Sequence, residues 1–176
     1  TMGTASSMNS VAEALGMSLP GCAVIPAPYR EREQISFETG KRIVGMVHED
    51  LKPSKIMTRK AFENAVIVAS AIGGSSNCTT HLIAIANHMG IKFDLSNWQK
   101  LGHKIPLLVN CQPAGEYLME SFYRAGGIPA IMKELIRNKK IHTNIITVTG
   151  KTVGENLKKK IQIDRKVIKN FKDNLS

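Results

Sequence analysis

The sequence predicts a mostly helical chain of the α/β class, with two or three short strands. Three observations lead there. Apolar residues recur at helical spacing through much of the chain, as in Met8, Val11, Ala12 and Leu15. The run Ala65 to Ile72 is almost wholly apolar and leads directly into Gly73-Gly74-Ser75-Ser76-Asn77. Leu107-Leu108-Val109 and Ile145 to Thr149 are short apolar or β-branched runs, the pattern of buried strands. Two such strands do not make a stable sheet alone. Either the fold is mainly helical, or the chain is a piece of a larger α/β body whose other strands are elsewhere.

Taken in order, Thr4 to Leu15 reads as a helix with Gly16 as its C-terminal stop, and Pro20-Gly21 turns the chain. Cys22 to Tyr29, with two prolines and no periodicity, reads as a loop. Glu31 to Glu49 is a second helix, striped by Ile35, Thr39, Ile43 and Val47 and widened by Phe37 and Val44. Asp50 to Met57 is a link. Thr58 caps a third helix, Lys60 to Ile72, whose all-round apolarity implies deep burial. The Gly-rich break follows, with Ser76 or Asn77 as cap of a fourth helix, about Thr79 to Met89, which Gly90 ends.

Ile91-Lys92-Phe93 is a strand or a connector. Ser96 caps a short fifth helix with Trp98 and Leu101. After the Leu107–Val109 strand, Pro113 to Gly115 turns the chain. Tyr117 to Arg124 is helical, Gly126-Gly127 breaks it, and Pro129 opens a helix through Ile136. The Ile145–Thr149 strand precedes a short helix or polar turn at Lys151 to Lys159. The remainder, with Ile161, Ile163, Val167 and Ile168, is too polar to pack by itself.

A chain of 176 residues is long enough for one domain with a real core. No apolar run reaches about 18 residues, so no membrane span is expected, and no secretory signal is visible at the start. Cys22, Cys78 and Cys111 are odd in number and widely spaced. That excludes a disulfide framework and fits a reducing cytoplasm. The same spacing, with no close pair, favours free buried thiols over cluster ligands. The net charge is +10, and residues 150–176 hold seven Lys and one Arg against three Asp or Glu, a local surplus of +5. No nucleic-acid-binding motif accompanies it, so a solvated basic tail is expected and nucleic acid is not expected as a partner.

The Gly73–Asn77 break, flanked by two buried helices, reads as the wall of a site or as a tight helix–helix connection. His81, four residues beyond Asn77, reads as a core histidine or as a polar group of that site. His81 and His88 share a helix face but lie too far apart to hold a metal without other ligands. Glu31, Glu33, Glu38, Glu49 and Asp50 alternate with Arg30, Arg32, Lys41 and Arg42, the pattern of a charged helix face. No nucleophile elbow, P-loop or dinucleotide fingerprint is present, and the residues alone offer no complete catalytic constellation.

Several segments together carry a resemblance. Thr1-Met2-Gly3-Thr4-Ala5-Ser6-Ser7-Met8-Asn9-Ser10, followed by Ala12 to Gly21, resembles the dihydroxy-acid and sugar-acid dehydratase family. Gly73-Gly74-Ser75-Ser76-Asn77 is similar to that family's G-G-S-T-N segment. Arg124-Ala125-Gly126-Gly127, Thr149-Gly150-Lys151-Thr152 and Asp164-Arg165-Lys166-Val167-Ile168 match as well. Pro26 to Arg32 and Leu107 to Tyr117 look most like the pentonate dehydratases, which act on arabinonate or xylonate.

The resemblance implies a hydro-lyase that removes water from a sugar acid or related 2,3-dihydroxy acid and leaves a 2-keto acid. It implies an iron–sulfur cluster as Lewis acid on the leaving hydroxyl, a magnesium ion holding the substrate, and a serine alkoxide taking the C2 proton. It also implies that no catalytic or metal-ligating residue lies in this chain. A cluster cysteine would fall before Thr1, the serine base would lie in a C-terminal domain, and Cys22, Cys78 and Cys111 match no ligand position. The chain is then a central fragment. Residues 1–142 are the latter part of the N-terminal α/β domain, and residues 143–176 are a linker and the way into the C-terminal one. The expected wall of the active site is Thr1, Met2, Gly3, Thr4 and Ala5 with Gly73, Gly74, Ser75, Ser76 and Asn77. The intact enzyme is expected to be a cytoplasmic homo-oligomer, and the isolated chain inactive. The alternative is a non-catalytic helical module for binding or assembly.

Overall fold

The structure is a computed structural model that describes residues 1–175. Its described helices are α1 (Thr4–Ala14), α2 (Arg30–His48), α3 (Pro53–Ile56), α4 (Arg59–Ala71), α5 (Asn77–His88), α6 (Leu95–Gly102), α7 (Met119–Arg124), α8 (Gly127–Arg137) and α9 (Val153–Asn156). Helix α4 is the axis of the packing. It carries α1 along one side and meets α5, α6 and α8 on others, while α7 rests on α8. The apolar run that predicts its burial behaves as expected: Ala61, Phe62, Ala65, Val66, Val68 and Ala71 are fully inaccessible. Each large side chain buried this way contributes about 1.5–3 kcal/mol. Thr58 caps α4 as predicted, its hydroxyl accepting from the Ala61 N–H at 3.4 Å.

Several expectations need correction. Neither Ser76 nor Asn77 caps α5 through its side chain. Ser76 occupies the cap position without such a bond, and the Ser75 hydroxyl accepts from the Asn77 N–H instead. Asp94, not Ser96, caps α6: its carboxylate accepts from the Asn97 N–H, and the Asn97 amide oxygen accepts from the Asp94 N–H. Two hydrogen bonds outweigh the one a serine could make. The Asp50–Met57 link contains α3, started by Pro53 and anchored by the buried Ile56.

The predicted strands form no ladder among the described residues. In Leu107–Val109, Leu108 and Val109 are buried, and the run meets the tail in one antiparallel bridge, Val109 to Ile168. Hydrogen bonds from Asn110 to Val167 and from Lys169 to Leu108 flank that bridge. This pairing also buries Val167 and Ile168, so the tail packs more than its polarity suggests. Ile145–Thr149 makes a single bridge, Ile146 to Thr152, because the chain turns back over Val148 to Gly150, and the φ of Gly150 is +78°. Ile91–Phe93 is a connector. The described chain is thus mostly helical, and its extended pieces are too short to align more than one residue pair.

Helix α2 differs most from its expected setting. Its predicted apolar stripe is present, yet of its 19 residues only Met46 is buried. Phe37, Ile43, Val44 and Val47 face outward. The helix is held by its arginines: Arg32 donates to the carbonyls of Cys22 and Ile25, and Arg42 to the carbonyl of Val148 and both oxygens of Glu49.

Candidate functional site

The chain leaving α4 must reverse within a few residues, and two glycines allow it. Gly73 has φ +63°, and a Cβ there would lie 2.8 Å from Leu107 Cδ1. The Gly74 N–H donates to the Ala69 carbonyl at 2.9 Å, so closely that a Cβ would approach this oxygen to 3.1 Å. This reversal carries Ser75 onto α1. The Ser75 N–H donates to the hydroxyl of Ser7, which is fully buried, at 2.9 Å. Ser75 Oγ and Thr4 Oγ1 are 3.1 Å apart, and Asn77 Nδ2 donates to Thr4 Oγ1 at 2.8 Å.

The predicted wall segments therefore meet, across 71 to 73 residues of sequence. Thr4, Ser75 and Asn77 form one network. Met2 anchors the N-terminal segment, its side chain buried and its N–H donating to the Gln112 carbonyl at 2.7 Å. Thr1, Gly3, Gly73 and Ser76 are exposed beside the network. Ser7, which locks the two segments together, was not among the predicted site residues. Its signal is its place one helical turn after Thr4 on the same face.

Proton counting shows what this cluster offers. Thr4 Oγ1 accepts from Asn77, and Ser75 Oγ accepts from the Asn77 N–H. One hydroxyl proton serves the Thr4–Ser75 bond, whichever residue donates it. The other is left for an oxygen outside the network. The cluster can thus donate to and accept from a polyol or carboxylate, but it holds no group that acts as a base near neutrality.

His81 is exposed, so it is not a core histidine, and it makes no hydrogen bond to Thr4, Ser75 or Asn77. His142 is engaged elsewhere, its Nε2 lying 2.7 Å from Glu63 Oε2. Cys22, Cys78 and Cys111 are free thiols. Burial pushes all three up, Cys111 to about 11; for Cys78 a hydrogen bond with Ser7, and for Cys22 the Arg32 charge, act in the opposite direction. Such thiols resist forming the thiolates that bind iron. Among the described residues no group of three or more His, Cys, Asp or Glu is placed to hold a metal ion. The residues present therefore do not fit an iron–sulfur cluster or a magnesium ion.

Among the described residues no helix is long and apolar enough to cross a membrane. The chain is 53% identical over 168 residues to a D-xylonate dehydratase of Caulobacter vibrioides, a match that covers 96% of the chain and 28% of the relative. It is 48% identical over 157 residues to an L-arabinonate dehydratase of Rhizobium leguminosarum bv. trifolii, covering 89% of the chain and 27% of the relative. A dihydroxy-acid dehydratase of Acetivibrio thermocellus is 46% identical over 170 residues, covering 97% and 31%. The chain thus spans under a third of the length of these relatives. The family model described as dihydroxy-acid/6-phosphogluconate dehydratase N-terminal matches residues 1–156, and the chain belongs to that family.

Proposed function

We propose that this chain is the central scaffold of a hydro-lyase that converts a sugar acid, of the pentonate class, or a related 2,3-dihydroxy acid to a 2-keto acid. The observation that carries this reading is the junction of Thr4 with Ser75 and Asn77, where two segments resembling the family's site segments meet in one hydrogen-bonded wall. Identity to the D-xylonate and L-arabinonate dehydratases supports the substrate class. The network's spare hydroxyl proton suits a substrate rich in hydroxyl and carboxylate oxygens.

In this reading the residues of the chain bind and orient, and no proton is abstracted by them. In the intact enzyme an iron–sulfur cluster would supply Lewis acidity at the leaving hydroxyl and a magnesium ion would hold the substrate, and no group of three or more His, Cys, Asp or Glu among the described residues is placed to bind either. Residues 1–142 belong to the N-terminal α/β domain, whose further strands would lie beside the extended pieces seen here. Residues 143–176 lead toward the C-terminal one. The intact enzyme works in the cytoplasm.

The test is a chimera in which this chain replaces the matching segment of the Caulobacter D-xylonate dehydratase, assayed for 2-keto acid from D-xylonate and L-arabinonate. Dehydration by the chimera, with none by the chain alone, is expected. A folded, cluster-loaded chimera without activity would contradict the proposal, as would activity of the chain alone.

A further inference from the structure

The loop that follows Val109 is fixed against the N-terminal segment of the wall. The Met2 N–H donates to the Gln112 carbonyl at 2.7 Å, and the Gln112 N–H donates to the Tyr117 carbonyl at 2.8 Å. Cys111 forms a single β-bridge with Tyr117, the Tyr117 N–H donates to the Asn110 carbonyl, and the Glu116 N–H donates to Asn110 Oδ1 at 3.0 Å. The Gly115 N–H donates to the Cys111 carbonyl at 2.8 Å, and a Cβ on Gly115 would meet Asn110 Oδ1 at 2.4 Å. The backbone of the loop is thus braced at both ends. The side chains of Gln112 and Glu116 are exposed and take no part in these bonds. A braced backbone with a free amide is an arrangement that presents a side chain at a fixed place.

Position singles out Gln112. Its own carbonyl holds Met2, and Thr4 follows two residues later, at most about 7 Å along the chain. Glu116 instead stands past Gly115, with its N–H turned to Asn110. Thr1 and Gly3, on either side of the buried Met2, are exposed, as Gln112 is. Gln112 therefore stands beside the surface where Thr4, Ser75 and Asn77 join.

Charge decides which end of a sugar acid suits this surface. Residues 1–10, 73–77 and 110–118 contain no Lys, Arg or His, and Glu116 is their one charged side chain. A carboxylate finds no cation there and is repelled by Glu116. A hydroxyl both donates and accepts, and an amide side chain matches it by doing the same.

We propose that Gln112 is a specificity-determining residue whose amide binds a hydroxyl beyond C3 of the sugar acid. The polyol end then lies along Thr4 and Gln112, and the carboxylate end points away from them. This assignment rests on the function proposed above, in which Thr4, Ser75 and Asn77 face the substrate. A site built to hydrogen-bond a hydroxyl discriminates against a ligand that lacks it, because the polar group of the site then loses its partner.

The test compares the chimera with its Gln112→Met variant, which keeps the length of the side chain and removes its hydrogen bonding. D-xylonate is the substrate. The second probe is 2,3-dihydroxybutanoate, which has no hydroxyl beyond C3, used as a competitive inhibitor. In the variant, kcat/KM for D-xylonate is expected to fall at least about tenfold, the worth of one hydrogen bond. The inhibition constant of 2,3-dihydroxybutanoate is expected to stay the same. The unfolding temperature is expected to stay the same as well, since the bond to Met2 uses the backbone of Gln112 and not its side chain. An equal loss for both ligands overturns the proposal, because it marks general support of the site and not the reading of a hydroxyl. An active chimera whose kcat/KM for D-xylonate is matched by Gln112→Met overturns this role alone. A folded, cluster-loaded chimera that is inactive before any substitution overturns the proposed function and this role together.

Discussion

Asn64 and His142 hold each other by two hydrogen bonds across 78 residues: the Asn64 amide donates to the His142 carbonyl, and its oxygen accepts from the His142 N–H, both at 2.8 Å. Asn64 is fully buried on α4, so this pair ties the central helix to the segment that follows α8. An amide side chain that serves both backbone groups of one residue acts like a piece of sheet pairing where no sheet exists.

Replacing Asn64 with Leu keeps the volume but leaves a backbone donor and a backbone acceptor without partners. The expected loss is about 2–4 kcal/mol in urea unfolding, since each unsatisfied buried group costs about 1–3 kcal/mol. A loss under about 0.5 kcal/mol, the size of an ordinary surface change, would contradict this role.

Glu13 gives the fold a pH dependence of known sign. Burial pushes its carboxyl from 4.5 to about 7, although the N–H groups of Gly21 and Ala23 donate to it at 2.7 and 2.9 Å and act the other way. The native state therefore holds this proton more tightly than the unfolded state does. The stabilisation is complete below pH 4.5 and is lost as pH rises through about 7. It amounts to about 3 kcal/mol. Glu13→Gln does not titrate, so the stability of the unmodified chain minus that of the variant should fall across this window. A flat difference would contradict the assignment.

Two glycines should respond in opposite ways. A Cβ at Gly115 would meet Asn110 Oδ1 at 2.4 Å and the Cys111 nitrogen at 2.7 Å, in the loop where Asn110 accepts from the Glu116 N–H. Gly115→Ala should cost about 1–3 kcal/mol, because backbone must move. Gly40→Ala, on the open face of α2, should stabilise the monomer by about 0.5–1 kcal/mol. Thermal unfolding at low protein concentration reads both, and a stabilising Gly115→Ala would refute the close packing of this loop.

The helices were legible where one face or all faces are apolar. The order and approximate limits of α1, α2, α4, α5 and α8 follow from spacing and from Gly16, Thr58 and Gly90. The predicted strands form no ladder among the described residues because β-branched residues report an extended backbone, not a partner. Ile146 makes one bridge, but the chain already turns at Val148 and Thr149, where the Gly150 N–H donates to the Thr147 carbonyl. The stripe on α2 was read correctly, yet periodicity says which face is apolar and not what lies against it. For the proposed site, the glycines and small hydroxyl residues marked two segments that the structure brings together. Their meeting through Ser7 depends on how α1 lies along α4, which no local pattern encodes.

The central claim is that Thr4 and the Gly73–Asn77 segment form a substrate-binding wall and not merely a helix junction. The most direct measurement is steady-state dehydration of D-xylonate by the chimera carrying Thr4→Val, alongside its thermal unfolding. Thr4→Val removes the hydroxyl at nearly constant volume and leaves the Ser7–Ser75 bond in place. The account predicts that kcat/KM falls at least tenfold, or about 1.4 kcal/mol, with little change in unfolding temperature. Unchanged kcat/KM with lowered stability would show that these residues only hold the helices together.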